Sequence, residues 1–337
     1  MKLATIGSGF IVDQMFDSIK DIGGISPVAV YSRNMEHAEE FARKHGVTKA
    51  YDSLDDMFAD DAIDTVYIAS PNSLHYPQAK KALETGRNVI LEKPFTTTKE
   101  QAQDLFNTAE DKGLMIFEAI TNIHTPNFGL LRDSLPMAGK MKNAVLNFSQ
   151  YSSRYDKYRN HEITNNFNPE FDGGALTDIN IYNLHLVYSL FGKPEKLTYY
   201  PNIGYNGVDT SGIAILEYPE FTVACIAAKD SSADYECLFE GEDGTFRIDE
   251  ASSGVMKHVT FKPVKKPAGE DLPDEFTVSI DQGPHMTYEF MDFQVAIDEQ
   301  DRELYKKYRD ETLAVMDLLM EAKKDRDARA DRILHKS

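Results

Sequence analysis

The sequence has no tryptophan and only two cysteines, Cys225 and Cys237, among 337 residues. Two thiols are too few to crosslink a chain of this length, and their spacing does not match a zinc-ligand pattern. The nine histidines are also scattered rather than paired at ligand spacing. We therefore expect reduced, buried thiols and no metal. Together with the strand-like run directly after Met1 and Lys2, this composition predicts a cytoplasmic protein.

Long apolar runs and an excess of positive charge are missing as well. No window reaches the roughly 18 uncharged apolar residues of a membrane span. The formal net charge is -19, from 36 basic and 55 acidic residues, so the average surface field repels nucleic-acid backbones and anionic lipid headgroups. We expect neither nucleic acid nor a membrane as a partner. A local group of backbone N–H groups can still bind an anionic small molecule.

The pattern of short apolar runs changes near residue 120. Before that point the runs alternate with helical segments, which predicts parallel βαβ units, and the runs lie at 3–6, 28–31, 65–69, 88–91 and 114–117. After it, strand-like segments follow one another, at 141–151, 197–205, 212–218, 222–228, 235–240 and 245–248, with helices only at about 175–190 and 303–323. The predicted fold is an α/β protein, with an N-terminal Rossmann parallel sheet in residues 1–120. A C-terminal α/β domain with an open, mostly antiparallel sheet follows in residues 121–337.

Glycines stand where the first predicted strand meets the first helix. Gly7 and Gly9 are placed for a tight turn and a close approach to a pyrophosphate, with Phe10 and Ile11 opening the helix. Val12 occupies the place of a third glycine. The same pattern occurs in simple turns, but its position after an N-terminal strand favours a dinucleotide site.

The second strand ends in Ser32 and Arg33, where a carboxylate would meet the ribose of NAD. A hydroxyl followed by a guanidinium suits a 2'-phosphate, so NADP(H) is favoured and NAD(H) is the alternative. In the competing interpretation, Arg33 is a surface residue that opens a helix.

Two further motifs carry titratable groups. The first is Lys93, which lies between Glu92 and Pro94 after the fifth strand. The second follows a glycine pair and places three titratable residues at helical spacing, namely Asp178, Tyr182 and His185. Each motif alone is also compatible with a solvated lysine or with the polar edge of a helix.

Taken in order, these motifs resemble the Gfo/Idh/MocA oxidoreductases along nearly the whole chain. This is the family of glucose-fructose oxidoreductase, inositol dehydrogenase and the dimeric dihydrodiol dehydrogenases. The motifs are Gly7-Ser8-Gly9, Pro71-Asn72-Ser73-Leu74-His75, Glu92-Lys93-Pro94, Glu118-Ala119 and the segment 173–182. The resemblance implies an NAD(P)-dependent dehydrogenase or reductase that transfers a hydride between nicotinamide and a CH–OH carbon of a small sugar-like or polyol substrate. It also implies a homodimer or homotetramer formed through the C-terminal sheet.

The resemblance further implies roles for single residues. Lys93 would lie beside the nicotinamide and the reacting oxygen, and Tyr182 would exchange the proton, because tyrosine replaces the histidine that many members carry four residues after the aspartate. Asp178 would orient the lysine or the substrate hydroxyls. Cofactor contacts are expected from Ser70, Asn72, His75 and Glu92.

The substrate is less constrained by the motifs. His185 is assigned a substrate contact, as are Arg154 and Tyr158 in a loop rich in tyrosine and arginine, which is equally compatible with an interface or a solvated surface. Residues 121–124 depart from the pattern of dihydrodiol dehydrogenases, which argues against a dihydrodiol substrate. Two other functions stay open, an NAD-dependent glycosidase and a non-catalytic dinucleotide-sensing regulator; the presence of both Lys93 and Tyr182 argues against the regulator.

Overall fold

The computed structural model describes residues 1–234, 236–265 and 273–334. The chain divides into two compact units, one of residues 1–119 with 284–316 and one of residues 120–283 with 317–337. The prediction that everything after residue 120 forms the second domain is therefore wrong for residues 284–316. Their helix, which was not predicted, contributes Phe293 to the core of the first unit, where its ring stacks on Phe117 at 4.6 Å.

The first unit is built on six parallel strands in the order β3-β2-β1-β4-β5-β6, which confirms the predicted Rossmann sheet. The strands are β1 Lys2–Ile6, β2 Ser26–Tyr31, β3 Lys49–Tyr51, β4 Thr65–Ile68, β5 Asn88–Glu92 and β6 Ile116–Ala119. The helices are α1 Phe10–Ile19, α2 Met35–Lys44, α3 Leu54–Phe58, α4 Asn72–Glu84, α5 Lys99–Asp111 and, from the later part of the chain, α9 His285–Asp298.

Burial explains which strands were predicted. All four residues of β4 are buried, as a parallel sheet covered on both faces requires, whereas β3 is a half-exposed edge strand of three residues without a continuous apolar run. The strand order reverses between β1 and β4, so the loops after these strands diverge there. Open α/β sheets bind ligands at that position.

The second unit contains an eight-stranded sheet in the order β14-β13-β12-β11-β7-β10-β9-β8. Every pairing in it is antiparallel except β7 with β10, which confirms the predicted mostly antiparallel sheet. The strands are β7 Met141–Ser149, β8 Lys196–Ile203, β9 Asp209–Glu217, β10 Thr222–Ala228, β11 Glu236–Gly241, β12 Gly244–Asp249, β13 His258–Pro263 and β14 Phe276–Thr277. The α-helices are α6 Pro126–Ser134, α7 Tyr155–Arg159, α8 Ile181–Phe191 and the end of α10, which spans Arg302–Leu334.

The predicted helix at about 175–190 has two parts. A single π-helical turn, Leu176–Asn180, comes first, and the regular helix α8 begins at Ile181. One-turn π segments are uncommon and often coincide with functional sites. Along the described residues, no helix combines the length and the apolar character that crossing a membrane would require.

Candidate active site

The glycine turn after β1 has a shape that only glycine at position 7 permits. Gly7 adopts φ +120°, and its N–H donates to the carbonyl of Tyr31 at 3.1 Å. A Cβ there would lie 2.9 Å from the carbonyl oxygen of Ala69, closer than a real Cβ can approach. Gly9 is the N-cap of α1, carries no capping side chain and faces open space. These features fit a pyrophosphate bound by the N-terminal N–H groups of α1.

The end of β2 fits the expected 2'-phosphate. The hydroxyl of Ser8 lies 3.5 Å from that of Ser32, and the N–H of Ser32 donates to the carbonyl of Tyr51 at 3.0 Å. The next side chain, Arg33, is exposed and forms no ion pair with any described residue. Asn34 caps α2 by accepting the N–H of His37. Two hydroxyls and an available guanidinium therefore stand where NAD-binding chains place a carboxylate.

The turn that carries Lys93 is held from behind by His75. This ring is 1% exposed, with Nδ1 3.0 Å from the carbonyl oxygen of Pro94 and Nε2 2.9 Å from that of Ser70. A neutral ring donates to one of them at a time, because it carries a single N–H. Burial lowers the pKa of His75, which favours that neutral form. His75 thus ties the end of β4 to the lysine turn and has almost no surface with which to line a cofactor channel.

Two buried glutamates flank the same turn. Glu92 accepts the hydroxyl of Tyr67 at 2.6 Å, and Glu118 accepts the N–H of Phe95 at 2.9 Å. Burial raises the pKa of Glu92, although the charge of Lys93 acts in the opposite direction. The half-buried Lys93 therefore extends from a backbone that three buried side chains fix in place.

Sequence reasoning missed a third buried glutamate of the first unit. Glu289 of α9 is completely buried, and neither carboxylate oxygen has a hydrogen-bond partner among the described residues. Burial raises its pKa well above the ordinary range, and the charges of Glu92 and Asp292 add to that effect. No motif in residues 285–298 indicates that this helix packs on the N-terminal sheet.

In the second unit, a glycine pair precedes the π turn, and Asp209 of β9 lies against Gly174 and the first residue of the turn. The completely buried carboxylate accepts the N–H of Leu176 and the hydroxyl of Tyr199, both at 2.7 Å. Gly174 has φ +133°, and a Cβ on it would overlap Oδ1 of Asp209. The close approach of this carboxylate is the physical reason for glycine at position 174.

Asp172 holds the preceding residues of the same turn. Lys323 and Arg326 of α10 both form ion pairs with its carboxylate, and its carbonyl accepts the hydroxyl of Thr177 at 2.8 Å. The basic residues of the terminal helix therefore fix the residues that lead into the π turn.

Asp178, the predicted active-site carboxylate, lies within the π turn. Its Oδ2 forms an ion pair with Lys229, which follows β10, and accepts the side-chain N–H of Asn166 at 3.2 Å. Neither partner was predicted. Lys229 is separated from Asp178 by 51 residues, and no local pattern distinguishes it from a surface lysine.

Tyr182 is the half-buried residue near the start of α8. Its ring centroid lies 5.8 Å from that of Phe148, and a Cβ on Gly254 would come 3.3 Å from the ring. Its carbonyl accepts the side-chain N–H of Asn122 at 2.8 Å. The ring that carries the hydroxyl therefore packs against β7 and against Gly254, where a larger residue would crowd it.

Two predicted substrate contacts are buried instead. Tyr158 is 3% exposed, stacks on Phe167 at 4.8 Å, and donates to Oδ1 of Asn206 at 2.7 Å, so it is a packing residue of the second unit. His185 is 1% exposed because α8 is enclosed nearly all round from Ile181 to Val187. The helical spacing suggested that His185 shares the accessible face of Tyr182, but the buried ring does not lie on that face. Arg154 is exposed.

Among the described residues, one group of potential metal ligands comes together in the second unit. Asp249, Glu250 and His258 meet at the connection between β12 and β13, with Nδ1 of His258 2.6 Å from Asp249. Arg247 and Lys257 each lie 3.2 Å from one of the two carboxylates. These cations neutralise the group, and we assign it no metal.

Comparison with known proteins decides the family. Residues 1–120 match the family described as "Oxidoreductase family, NAD-binding Rossmann fold". Residues 140–247 match the family described as the GFO/IDH/MocA C-terminal domain. A scyllo-inositol 2-dehydrogenase (NADP(+)), IolU of Bacillus subtilis, is 33% identical over 96% of each chain. The chain belongs to the Gfo/Idh/MocA oxidoreductase family.

Two further known proteins are similar to the chain, one in sequence and one in fold. The trans-1,2-dihydrobenzene-1,2-diol dehydrogenase of Mus musculus is 30% identical over 57% of this chain and 56% of its own. A crystal structure of KijD10, a 3-ketoreductase from Actinomadura kijaniata in complex with NADP and TDP-benzene, superposes with a TM-score of 0.84. It is 19% identical, covers 96% of this chain and 97% of its own, and shows the shared fold.

Membership confirms the predicted class of function. The chain is a nicotinamide-dependent oxidoreductase of this family. The two alternatives considered from the sequence, the glycosidase and the regulator, are not the functions named for these relatives.

Proposed function

We propose that this oxidoreductase prefers NADP(H) and oxidises a cyclic polyol, with scyllo-inositol as the first candidate. The cofactor preference is carried by the end of β2, where Ser32 and Arg33 replace a carboxylate and Ser8 adds a second hydroxyl. The substrate is supported by the similarity to IolU along 96% of both chains.

The cofactor contacts of the proposal follow the glycine turn. Gly7 and Gly9 allow the pyrophosphate to approach α1, whose first residues are Phe10 and Ile11. Ser70 and Asn72, at the end of β4 and the start of α4, complete the contacts. His75 and Glu92 act through the main chain of the lysine turn.

Three side chains carry the chemistry in this proposal. The nicotinamide supplies or accepts a hydride when it is bound. Tyr182 exchanges a proton with the substrate oxygen, and the ammonium of Lys93 stabilises negative charge on that oxygen. A free tyrosine titrates near about 10, so a cation beside the reacting oxygen, the role proposed for Lys93, would favour proton exchange at neutral pH. Asp178 accepts hydrogen bonds from substrate hydroxyls, and Arg154 remains a proposed substrate contact.

The cofactor proposal is tested by fluorescence titration of the protein with NADPH and with NADH. We expect tighter binding of NADPH. Arg33→Ala should weaken NADPH binding by about 10- to 100-fold, the value of one or two charge-assisted hydrogen bonds, and leave NADH almost unaffected. Arg43→Ala, an exposed arginine of α2, is the matched control. Equal affinities for both cofactors would contradict the assignment of Arg33.

Turnover is tested by following reduction of NADP+ in the presence of scyllo-inositol. Tyr182→Phe and Lys93→Met should each abolish most of the activity and leave NADPH binding measurable. Near wild-type turnover by both variants would refute the assigned chemistry. Release of the aryl group from an aryl glycoside would instead support the glycosidase.

The proposal extends to assembly and location. We infer that the second unit forms a homodimer or homotetramer through the open face of its sheet, where Tyr200 and Ile213 are exposed large apolar side chains. Cys225 and Cys237 are free and buried, which supports a reducing, cytoplasmic location.

A further inference from the structure

Lys229 is a lysine buried inside the second unit. Its side chain is 2% exposed, although lysine is rarely buried without a partner. The ammonium forms an ion pair with Oδ2 of Asp178, lies 3.4 Å from the carbonyl oxygen of Asn166, and stands 4.8 Å from the centroid of the Phe167 ring. The side chain therefore connects the sheet to the π turn.

The backbone of Lys229 is fixed on both sides. Its N–H donates to the carbonyl of Thr210 at 2.8 Å, and its carbonyl accepts the N–H of Ser152 at 2.9 Å. Because the residue follows directly after β10, the sheet determines where the side chain starts. The ammonium is held in place before any substrate arrives.

The ion pair is asymmetric with respect to solvent. The side chain of Asp178 is 29% exposed, whereas that of Lys229 is 2% exposed. The cation thus approaches the carboxylate from the interior, and the accessible part of the pair belongs to Asp178. The side-chain N–H of Asn166 donates to the same Oδ2 atom. A buried cation beside a carboxylate stabilises the ionised form.

We propose that Lys229 is a positioning residue of the active site, which holds Asp178 as an ionised hydrogen-bond acceptor for a hydroxyl of an uncharged polyol. This inference rests on the proposed function, since it requires Asp178 to contact the substrate. A carboxylate stabilised by a cation accepts hydrogen bonds well and protons poorly, so proton exchange stays with Tyr182. A carboxylate at the accessible side also disfavours substrates that carry phosphate or carboxylate groups.

The test compares Lys229→Met, Asp178→Asn and the double variant, with NADP+ and scyllo-inositol. Each single change should raise KM about 10-fold or more, the value of a hydrogen bond to a charged group, with a much smaller change in kcat. The affinity for NADPH should not change. The double variant should be no worse than the worse single variant, because both changes remove the same interaction.

Two further variants separate positioning from a loss of folding. Lys196→Met removes an exposed strand lysine that pairs with Glu217 at 3.0 Å, and it should leave all constants unchanged. Lys229→Gln keeps an N–H donor toward Asp178 and should give an intermediate KM. It decides the question if Lys229→Met fails to fold.

The outcomes are distinct. Folded Lys229 variants with wild-type KM, or with lost kcat at unchanged KM, would overturn the inference, and so would fully multiplicative effects in the double variant. Wild-type protein without turnover on scyllo-inositol, myo-inositol or glucose would contradict the proposed function itself, and the inference would fall with it.

Discussion

Asp209 shows, at the scale of a single residue, a carboxylate kept in the interior for its hydrogen bonds. Oδ2 accepts both the N–H of Leu176 and the hydroxyl of Tyr199, whereas Oδ1 has no hydrogen-bond partner among the described residues. Burial raises the pKa of Asp209 from its ordinary 3.8 to about 6, against the lowering effects of the charge on Arg326 and of the hydrogen bonds. The start of the π turn is therefore held by a group whose ionisation is costly.

This cost predicts a pH dependence of stability. The folded protein binds the Asp209 proton more tightly than the unfolded chain, so this contribution to stability is complete below pH 3.8 and is lost as the pH rises through about 6. The difference corresponds to about 3 kcal/mol. Asparagine still accepts the N–H of Leu176 but does not titrate. As the pH rises from about 4 to about 7, the free energy of unfolding of the wild-type protein should therefore fall by about that amount relative to that of the Asp209→Asn variant.

Urea unfolding of both proteins across this pH range measures the effect. Asp331→Asn changes an exposed aspartate of α10 and should leave the pH curve as it is in wild type. Parallel curves for wild type and Asp209→Asn would show that Asp209 does not titrate as its burial indicates.

The site residues that the sequence predicts are marked by their neighbours in the chain, whereas the residues that it misses are marked only by contacts with distant residues. Gly7 and Lys93 were predicted because each directly follows an apolar strand, at the edge where such sheets bind ligands. Lys229 and Asn166 were not, since their importance arises only from the contact with Asp178, which joins distant parts of the chain. Tyr158 was predicted for the wrong reason, because composition does not distinguish a ring that binds substrate from one that packs.

At the scale of elements, the π turn marks the limit of periodicity as a guide. Apolar residues from about 175 to 190 fit one continuous helix, and nothing in their spacing indicates a widened turn. The turn is held by residues distant in sequence: Asp209 accepts its first N–H, and Lys323 and Arg326 hold Asp172, whose carbonyl accepts the hydroxyl of Thr177. The Rossmann strands, in contrast, are buried runs that are visible in any short window.

Gly174→Ala tests whether the π turn positions Asp178. The new Cβ would overlap Asp209, and φ +133° is unfavourable for alanine, so we expect a loss of about 2 kcal/mol or more in the free energy of unfolding. Displacement of Asp178 should reduce kcat/KM on the order of 10-fold or more, with NADPH affinity unchanged. Thermal unfolding, steady-state kinetics and the fluorescence titration measure these three quantities.

Gly192→Ala is the matched control at the other end of the same helix. Gly192 also has positive φ, +72°, but a Cβ there meets nothing within 4 Å. It should cost stability from backbone strain alone and leave kcat/KM unchanged. Equal kinetic losses in both variants would mean that the effect comes from general destabilisation of α8.

At the scale of the whole molecule, the order of strands along the chain indicated two folded units but not their full membership. Residues 284–316 return to the first unit, and their contribution to its core, with Phe290 5.5 Å from Tyr67 and Phe293 against Phe117, depends on residues far apart in sequence. Chain continuity alone placed them with the preceding strands. The net charge of -19 argues against nucleic-acid and membrane partners, yet it carries no information on the cofactor.

The proposed assembly makes a prediction at this scale. Tyr200 and Ile213 are cross-strand partners of β8 and β9 and are 61% and 40% exposed, whereas Tyr199 and Ala214 beside them face the core. Two adjacent large apolar side chains on an open sheet face are costly in water, so burial between two copies of the chain would stabilise the assembly. Light scattering coupled to size exclusion should give a dimer or tetramer for wild type. Ile213→Glu should shift the protein toward monomer, because a dimer would bury the new charges without partners.

Ile163→Glu, 51% exposed but outside the sheet, should keep the wild-type mass. A monomeric wild type would refute the proposed interface, and an oligomer insensitive to Ile213→Glu would place the contact on another surface.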